Sequence, residues 1–288
     1  MTRLKLVTIL EGRTPATQIK NKVKNEVTNL RKDGVRPTIC VIQVGEDPAS
    51  TIYLKRKKEF AQSVGIKEIS LQFSQNITQQ ELIDKIKKLN QDPSINAIMV
   101  QLPLPEQINE QAIFETIDPK KDVDGFHPYN QGKLWQESNQ IMPATVRGIL
   151  TLIDFYKLNL VEKNALIIGR SVIVGKPLAS QFLMRDATVT IAHSKTKNLA
   201  DITKTADVIV SDVGRAGLIT AEMIKQGAIL LDVGINRIKG HVVGDIEFDE
   251  CKTKASAITP VPGGIGPLTV ASLMEQVVIL TRMQQNDR

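Results

Sequence analysis

Apolar and polar positions along this chain fall into short runs that switch between a two-residue and a 3.6-residue period, the alternation expected of an α/β protein. Thr38 to Val44, Ile66 to Phe73 and Ile95 to Leu102 are rich in β-branched and aromatic residues and read as strands. Thr51 to Val64 reads as a helix with Tyr53, Leu54, Phe60, Ala61 and Val64 along one face. Thr78 followed by Glu81 spells a capping box, opening a helix that runs to about Asn90. From Pro119 to Asn139 the periodicity fades and Asp, Gly, Pro and Asn accumulate, predicting a linker or a site loop. A second α/β set follows, with strands at Ala165 to Ile168, Thr188 to Ala192, Val208 to Ser211 and Ala228 to Val233. A final helix spans about Leu268 to Met283. No internal repeat or low-complexity tract interrupts the series.

One charge breaks the pattern. Lys57 falls in the middle of the apolar arc of its helix, while Lys55, Lys58 and Glu59 fall away from it. Desolvation penalises the ammonium, so a lysine so placed has a lowered pKa and can accept a proton near neutrality. The plainer alternative is a lysine that buries its stem and snorkels its head into water.

Composition narrows the class of protein. A length of 288 residues, 42% apolar and 24% charged, supports two soluble globular domains. Two cysteines, Cys40 and Cys251, form neither a disulfide framework nor a metal-ligand spacing, so no metal is expected and a reducing, cytoplasmic compartment is. The N-terminus shows no charged-then-apolar signal pattern and no run approaches about 18 apolar residues, so neither export nor a membrane span is expected. The net charge of +6 is spread over helices with 4% aromatic residues, which argues against nucleic acid and for small polyanions, or for a merely solvated lysine-rich surface.

The second set carries a ligand signal. Ala165 to Gly169 reads as a buried strand ending in a glycine turn, with Arg170 and Ser171 in the turn. Val174-Gly175-Lys176-Pro177 then opens a helix whose amides and dipole suit phosphate. The spacing differs from a Walker A loop, because five residues separate Gly169 from Gly175 and Pro177 stands where a magnesium-binding hydroxyl would be. About 20 residues on, an NAD site would place an acid at the tip of the next strand. This chain has His193, Ser194 and Lys195 there, donors and a cation suited to the 2′-phosphate of NADP, unless they are only a polar loop. Further on, Thr259 to Thr269 packs three glycines and three prolines into eleven residues, a rigid wall for a cleft or simply a stiff turn. Gln101-Leu-Pro103-Leu-Pro105 lies at a strand's carboxyl end, where open sheets bind ligands, and Asp122-Val-Asp124-Gly125 reads as a turn or an acidic site.

Taken in order, these segments resemble the bifunctional methylenetetrahydrofolate dehydrogenase/methenyltetrahydrofolate cyclohydrolase family over nearly the whole chain. The resemblance rests on Val44 to Ser50 leading into Tyr53 and Lys57, on Gln101 to Pro105, and on Lys121 to Phe126. It continues through Gly169 to Ser171 with Val174 to Pro177, Asp232 to Asn236, and Thr259 to Thr269. It implies two α/β domains flanking a cleft, the second Rossmann-like and NADP-binding, with the last helix returning to the first. The expected division is residues 1–139 with 268–288 for folate binding and catalysis, and 140–267 for NADP. It further implies a homodimer built through the cofactor domain, and oxidation of 5,10-methylenetetrahydrofolate followed by hydrolysis to 10-formyltetrahydrofolate, a one-carbon interconversion feeding purine synthesis. Carried over position by position, Lys57 is the catalytic side chain, Gln101 tunes it, Tyr53 stacks on the folate, and Asp124 anchors the pterin. Pro262, Gly263 and Gly264 border the folate, with or without a polyglutamate tail on that substrate. Gly169, Arg170, Ser171, Gly175, Ser194, Lys195, Gly214 and Ile235 form the cofactor set.

The chain departs from the family pattern at three places. Ala144 and Val146 stand in the segment joining the domains where the family commonly has Cys and Pro, and Lys195 replaces an arginine of some relatives. Asp212 stands where a small residue is common at a strand end facing cofactor, and a carboxylate there bonds a ribose hydroxyl or repels pyrophosphate. Two rival readings remain: another NADP-dependent α/β dehydrogenase of the amino-acid or shikimate type, and a catalytically silent dinucleotide-binding protein.

Overall fold

The computed structural model describes residues 7–46, 48–136 and 141–286, with the backbone alone for 48–53. In chain order the elements are β1 (Thr8–Ile9), α1 (Arg13–Lys32), β2 (Thr38–Val44), α2 (Pro48–Val64), β3 (Lys67–Phe73), α3 (Gln79–Gln91), β4 (Ala97–Val100), α4 (Glu110–Thr116), α5 (Pro128–Trp135) and α6 (Ala144–Phe155). They continue with β5 (Asn164–Ile168), α7 (Gly175–Leu183), β6 (Thr188–Ala192), α8 (Leu199–Thr205), β7 (Val208–Ser211), β8 (Ile229–Asp232), β9 (Asn236–Ile238), β10 (His241–Val243), α9 (Phe248–Cys251), β11 (Ala257–Ile258) and α10 (Ile265–Asn286). The chain divides into two compact units, one of residues 17–144 with 270–288 and the other of residues 1–16 with 145–269.

The first unit is built on a three-stranded parallel sheet in the order β3-β2-β4, with Thr38 opposite Lys67 and Ile39 opposite Ala97. A central parallel strand is covered on both faces, which is why β2 reads as a nearly continuous apolar run. Cys40, Ile42 and Val44 point to one face and pack with Leu82, Ile86 and Ile113. The predicted capping box is present: Thr78 Oγ1 accepts from the Glu81 amide at 3.2 Å and Glu81 Oε2 accepts from the Thr78 amide at 2.9 Å. β4 ends at Val100, short of the expected Leu102, and Pro103 has no N–H with which to extend the ladder. Residues 119–139, expected to lack regular structure, contain α5, which starts at Pro128 and is capped by His127 Nδ1 accepting from the Tyr129 amide at 3.0 Å. The carboxyl-terminal part of α10 belongs to this unit, where buried Gln276 donates through Nε2 to the Val123 carbonyl at 2.6 Å and accepts from the Met142 amide at 2.9 Å.

The second unit carries a six-stranded parallel sheet in the order β1-β11-β8-β7-β5-β6, plus the antiparallel pair β9 and β10. Thr8 and Ile9 pair with Ala257 and Ile258, which is why the N-terminal segment, expected with the first domain, clusters here. Buried Leu166, Ile168, Ile209, Leu230 and Ile258 line one face of this sheet. α10 begins at Ile265, three residues before the expected Leu268, taking Gly266 and Pro267 into its first turn, where proline costs no hydrogen bond. Ala144 and Val146, the departures at the join, are both buried at the start of α6. Among the described residues no helix is long and apolar enough to cross a membrane.

Candidate functional site

The apolar arc of α2 places Lys57 as its sequence implies. Ala61 and Val64 are buried on that face, Leu54 and Phe60 are half-buried, and Lys55, Lys58 and Glu59 are exposed. Lys57 Nζ donates to Gln101 Oε1 at 3.1 Å and to the weak acceptor Met99 Sδ at 3.5 Å. Met99 and Gln101 share a side because strand residues two apart face the same way. Gln101 is fixed at both ends: its amide donates to the Ile42 carbonyl at 2.8 Å and its Nε2 to the Leu102 carbonyl at 2.6 Å. That leaves Oε1 to face the amine. Burial holds the Lys57 pKa below the usual lysine value, while the charges of Asp124 and Glu68 pull it back up.

Asp124 is carried by a tightly tied turn. Asp122 is buried and accepts from the Phe126 amide at 3.2 Å, the His127 amide at 2.9 Å and Asn130 Nδ2 at 2.9 Å. Burial pushes the Asp124 carboxyl up to about 7, Lys57 opposing the shift and Asp122 adding to it. An amine whose pKa is held down and a carboxyl whose pKa is held up thus stand in one another's field, the kind of pair that marks a candidate proton-transfer site. Glu68 and Met99 were not anticipated from sequence. Glu68 Oε2 is buried without a hydrogen-bond partner, so its charge acts on Lys57 through space. The Tyr53 side chain lies outside the described residues.

The structure therefore brings Lys57, Gln101 and Asp124 together in the first unit. Pro262, Gly263 and Gly264 lie in the second, where the Gly263 carbonyl accepts from the Gly12 amide at 2.9 Å and the Gly264 amide donates to the Pro260 carbonyl at 2.8 Å.

The cofactor candidates cluster at the carboxyl ends of β5, β6, β7 and β8. Gly169 adopts φ +130, and a Cβ there would lie 2.8 Å from the Asp212 carbonyl oxygen, so only glycine fits. Gly175 is equally constrained against the Gly169 carbonyl. Ser171 Oγ accepts from the amides of Val174 at 3.0 Å and Gly175 at 3.3 Å, capping α7 from outside the helix. Arg170, Ser194, Lys195, Gly214 and Ile235 are exposed around this turn, and the strand-tip His193 is spent on shape, its Nδ1 accepting from the Lys195 amide at 3.2 Å. Asp245 is a further residue that sequence reasoning missed. Fully buried, it accepts from Ser211 Oγ, the amides of Val213 and Arg215, and Asn236 Nδ2, at 2.8 to 3.0 Å, holding the loops that carry Gly214 and Ile235.

The family models place both halves. Residues 10–124 match the catalytic domain of tetrahydrofolate dehydrogenase/cyclohydrolase and residues 143–285 match its NAD(P)-binding domain. The chain belongs to the tetrahydrofolate dehydrogenase/cyclohydrolase family. Within that family, Bifunctional protein FolD of Lactobacillus gasseri is 63% identical over 276 residues, covering 96% of this chain and 98% of that protein. A bifunctional FolD crystal structure from Campylobacter jejuni superposes with a TM-score of 0.94 at 42% identity, covering 96% of this chain and 99% of that one. The Trypanosoma brucei dehydrogenase-cyclohydrolase, solved with NADP and an inhibitor, matches with a TM-score of 0.92 at 34% identity, covering 97% and 98% of the two chains. The glycine turn without room for side chains, the capped start of α7 and the absence of an acid at the tip of β6 fit the cofactor that the second family model names.

Proposed function

We propose that this chain oxidises 5,10-methylenetetrahydrofolate with NADP and hydrolyses the resulting methenyl cation to 10-formyltetrahydrofolate, with Lys57 as the catalytic side chain of the hydrolysis. The observation that carries this reading is the 3.1 Å contact between Lys57 Nζ and Gln101 Oε1 in a setting that lowers the lysine pKa. When bound, the nicotinamide accepts hydride from the bridging methylene carbon, a step that asks the protein for alignment rather than for a base. Hydrolysis is different, because water adds beside a positive charge and must shed a proton. A neutral amine can take part where a fixed ammonium would repel the intermediate. Asp124, whose carboxyl burial pushes up to about 7, holds the pterin through the ring's N–H donors, Tyr53 stacks on it, and Pro262 to Gly264 border the folate.

Gly169, Arg170, Ser171, Gly175, Gly214 and Ile235 seat the dinucleotide, and Ser194 and Lys195 favour the 2′-phosphate. A homodimer through the second unit is supported by β6, an edge strand that leaves Ile191 exposed beside the exposed Leu183 and Met184 at the end of α7. A cytoplasmic location is supported by two buried, unpaired cysteines. Following NADPH and methenyl absorbance together during turnover tests the reading: methenylfolate must appear with NADPH and then decay. A chain that reduces NADP with shikimate or an amino acid and leaves methylenetetrahydrofolate untouched contradicts it.

A further inference from the structure

Asp212 stands at the point where the order of the second sheet reverses. From β5 the chain passes through α7 to β6 on one side, and then through α8 to β7 on the other side of β5. Open α/β sheets bind ligands outside such a switch point. The Asp212 amide donates to the Ile168 carbonyl at 3.0 Å, and its backbone closes over Gly169. The nearby Ser171 hydroxyl favours the charged form of the Asp212 carboxyl. That hydroxyl in turn accepts the amides of Val174 and Gly175, so one serine links an acidic side chain to the positive end of α7.

We propose that Asp212 is an affinity-setting residue for the dinucleotide, a built-in anionic competitor that engages the Ser171 hydroxyl and the field of the α7 N-terminus until the incoming pyrophosphate drives it to take up a proton. The inference rests on Gly169, Ser171 and the start of α7 being the pyrophosphate seat. Two negative groups at one seat repel, and the less costly resolution is protonation of the carboxyl. Asp212 is already prepared for this: burial first, and then the charge of Asp245, push it up to about 6, with the Ser171 hydroxyl opposing. The ionisable groups on the segments around half-buried Asp212 are Asp232 at the end of the adjoining β8, His193 at the tip of β6, and the exposed Lys176 in the first turn of α7, Arg170 and Arg215. Cofactor binding should therefore consume a proton and weaken as pH rises through neutrality.

Calorimetric titration of NADP into the intact protein and into Asp212→Asn, at about pH 5.5 and about pH 8, tests this. The amide keeps the volume and the acceptor for Ser171 but carries no charge. The expected result is binding about tenfold tighter than wild type at the higher pH and within about twofold at the lower, with less proton uptake in two buffers of different ionisation enthalpy. The 2′-phosphate titrates in both proteins and cancels in the comparison. Asp212→Ala, which keeps the Cβ beside Gly169, should tighten binding in the same direction. Equal affinities and equal proton uptake for wild type and Asp212→Asn at both pH values overturn the proposal while leaving the seat in place. Loss of NADP binding by wild type and both folded variants overturns the seat and the proposal together.

Discussion

Lys57 Nζ and Gln101 Oε1, both on half-buried residues, meet at 3.1 Å because a helix and a strand end each turn one polar group into the same junction. The amide is pinned by the Leu102 carbonyl, so the acceptor cannot rotate away and present a donor. An amine fixed in this way keeps a lowered pKa without losing its orientation, the combination that proton transfer requires.

Asp124 sets part of that pKa. Its charge pulls Lys57 upward, so Asp124→Asn removes the pull and the lysine pKa falls further. If hydrolysis uses neutral Lys57, as proposed, activity rises with pH through the lysine pKa, and in the variant that rise moves to lower pH. Residual methenyl hydrolysis measured against pH checks the direction; a shift to higher pH contradicts the assignment.

Asp122 holds the turn rather than the substrate. Asp122→Ala strands the partly buried amides of Phe126 and His127 and leaves Asn130 Nδ2 with the Pro119 carbonyl but without its carboxylate acceptor, costing about 2 to 4 kcal/mol of stability. Denaturant unfolding should show a lowered midpoint, and folate affinity should fall with it as Asp124 loses its mount. A variant as stable as wild type would show that these bonds are incidental.

Much of this architecture was legible in the sequence, and the exceptions have physical causes. β2 and β7 lie at their expected limits because buried parallel strands are nearly continuous apolar runs, while β6, a largely exposed edge strand, is marked instead by its β-branched Thr-Val-Thr-Ile run. β1 and β11 are two residues each, too short to show a period. α5 is hidden because Pro128 and Gly132 imitate a loop, and its cap is a histidine rather than a common capping residue. α1 carries Ala16, Ile19, Val23, Val27 and Leu30 at helical spacing, a readable stripe beyond the segments singled out above. Within the site, the apolar arc marked Lys57 as out of place while leaving open a lysine that snorkels, and in the structure the residue is half-buried. Its pairing with Gln101 needed the family resemblance. Glu68 acts through space, and Met99 and Asp245 through hydrogen bonds, each reaching an element distant in sequence, and no local pattern marks them.

Lys195 is exposed at the tip of β6 beside the glycine turn. Lys195→Ala should weaken NADP binding about three- to tenfold and leave NAD binding unchanged, because one exposed charge-assisted contact contributes about 1 kcal/mol. Titration with both dinucleotides measures the ratio. Equal losses for NAD and NADP would point to the turn's shape instead of the 2′-phosphate.

The exposed edge of the second sheet gives a test of assembly. If the proposed homodimer forms by pairing of β6 edges, the unaltered chain sediments as a dimer and Ile191→Glu, which places a charge on that edge, sediments as a monomer at the same concentration. An unaltered dimer would place the interface elsewhere.

The central claim concerns one amine. Lys57→Met keeps the stem and the apolar contacts of α2 but removes Nζ. Stopped-flow decay of methenyltetrahydrofolate absorbance on this variant, alongside its thermal unfolding, tests the claim most directly. The predicted result is hydrolysis slower by at least about a hundredfold in a protein that unfolds at or above the wild-type temperature. Hydrolysis within about twofold of wild type would contradict it, because a proton-transfer group that is absent cannot supply such a rate.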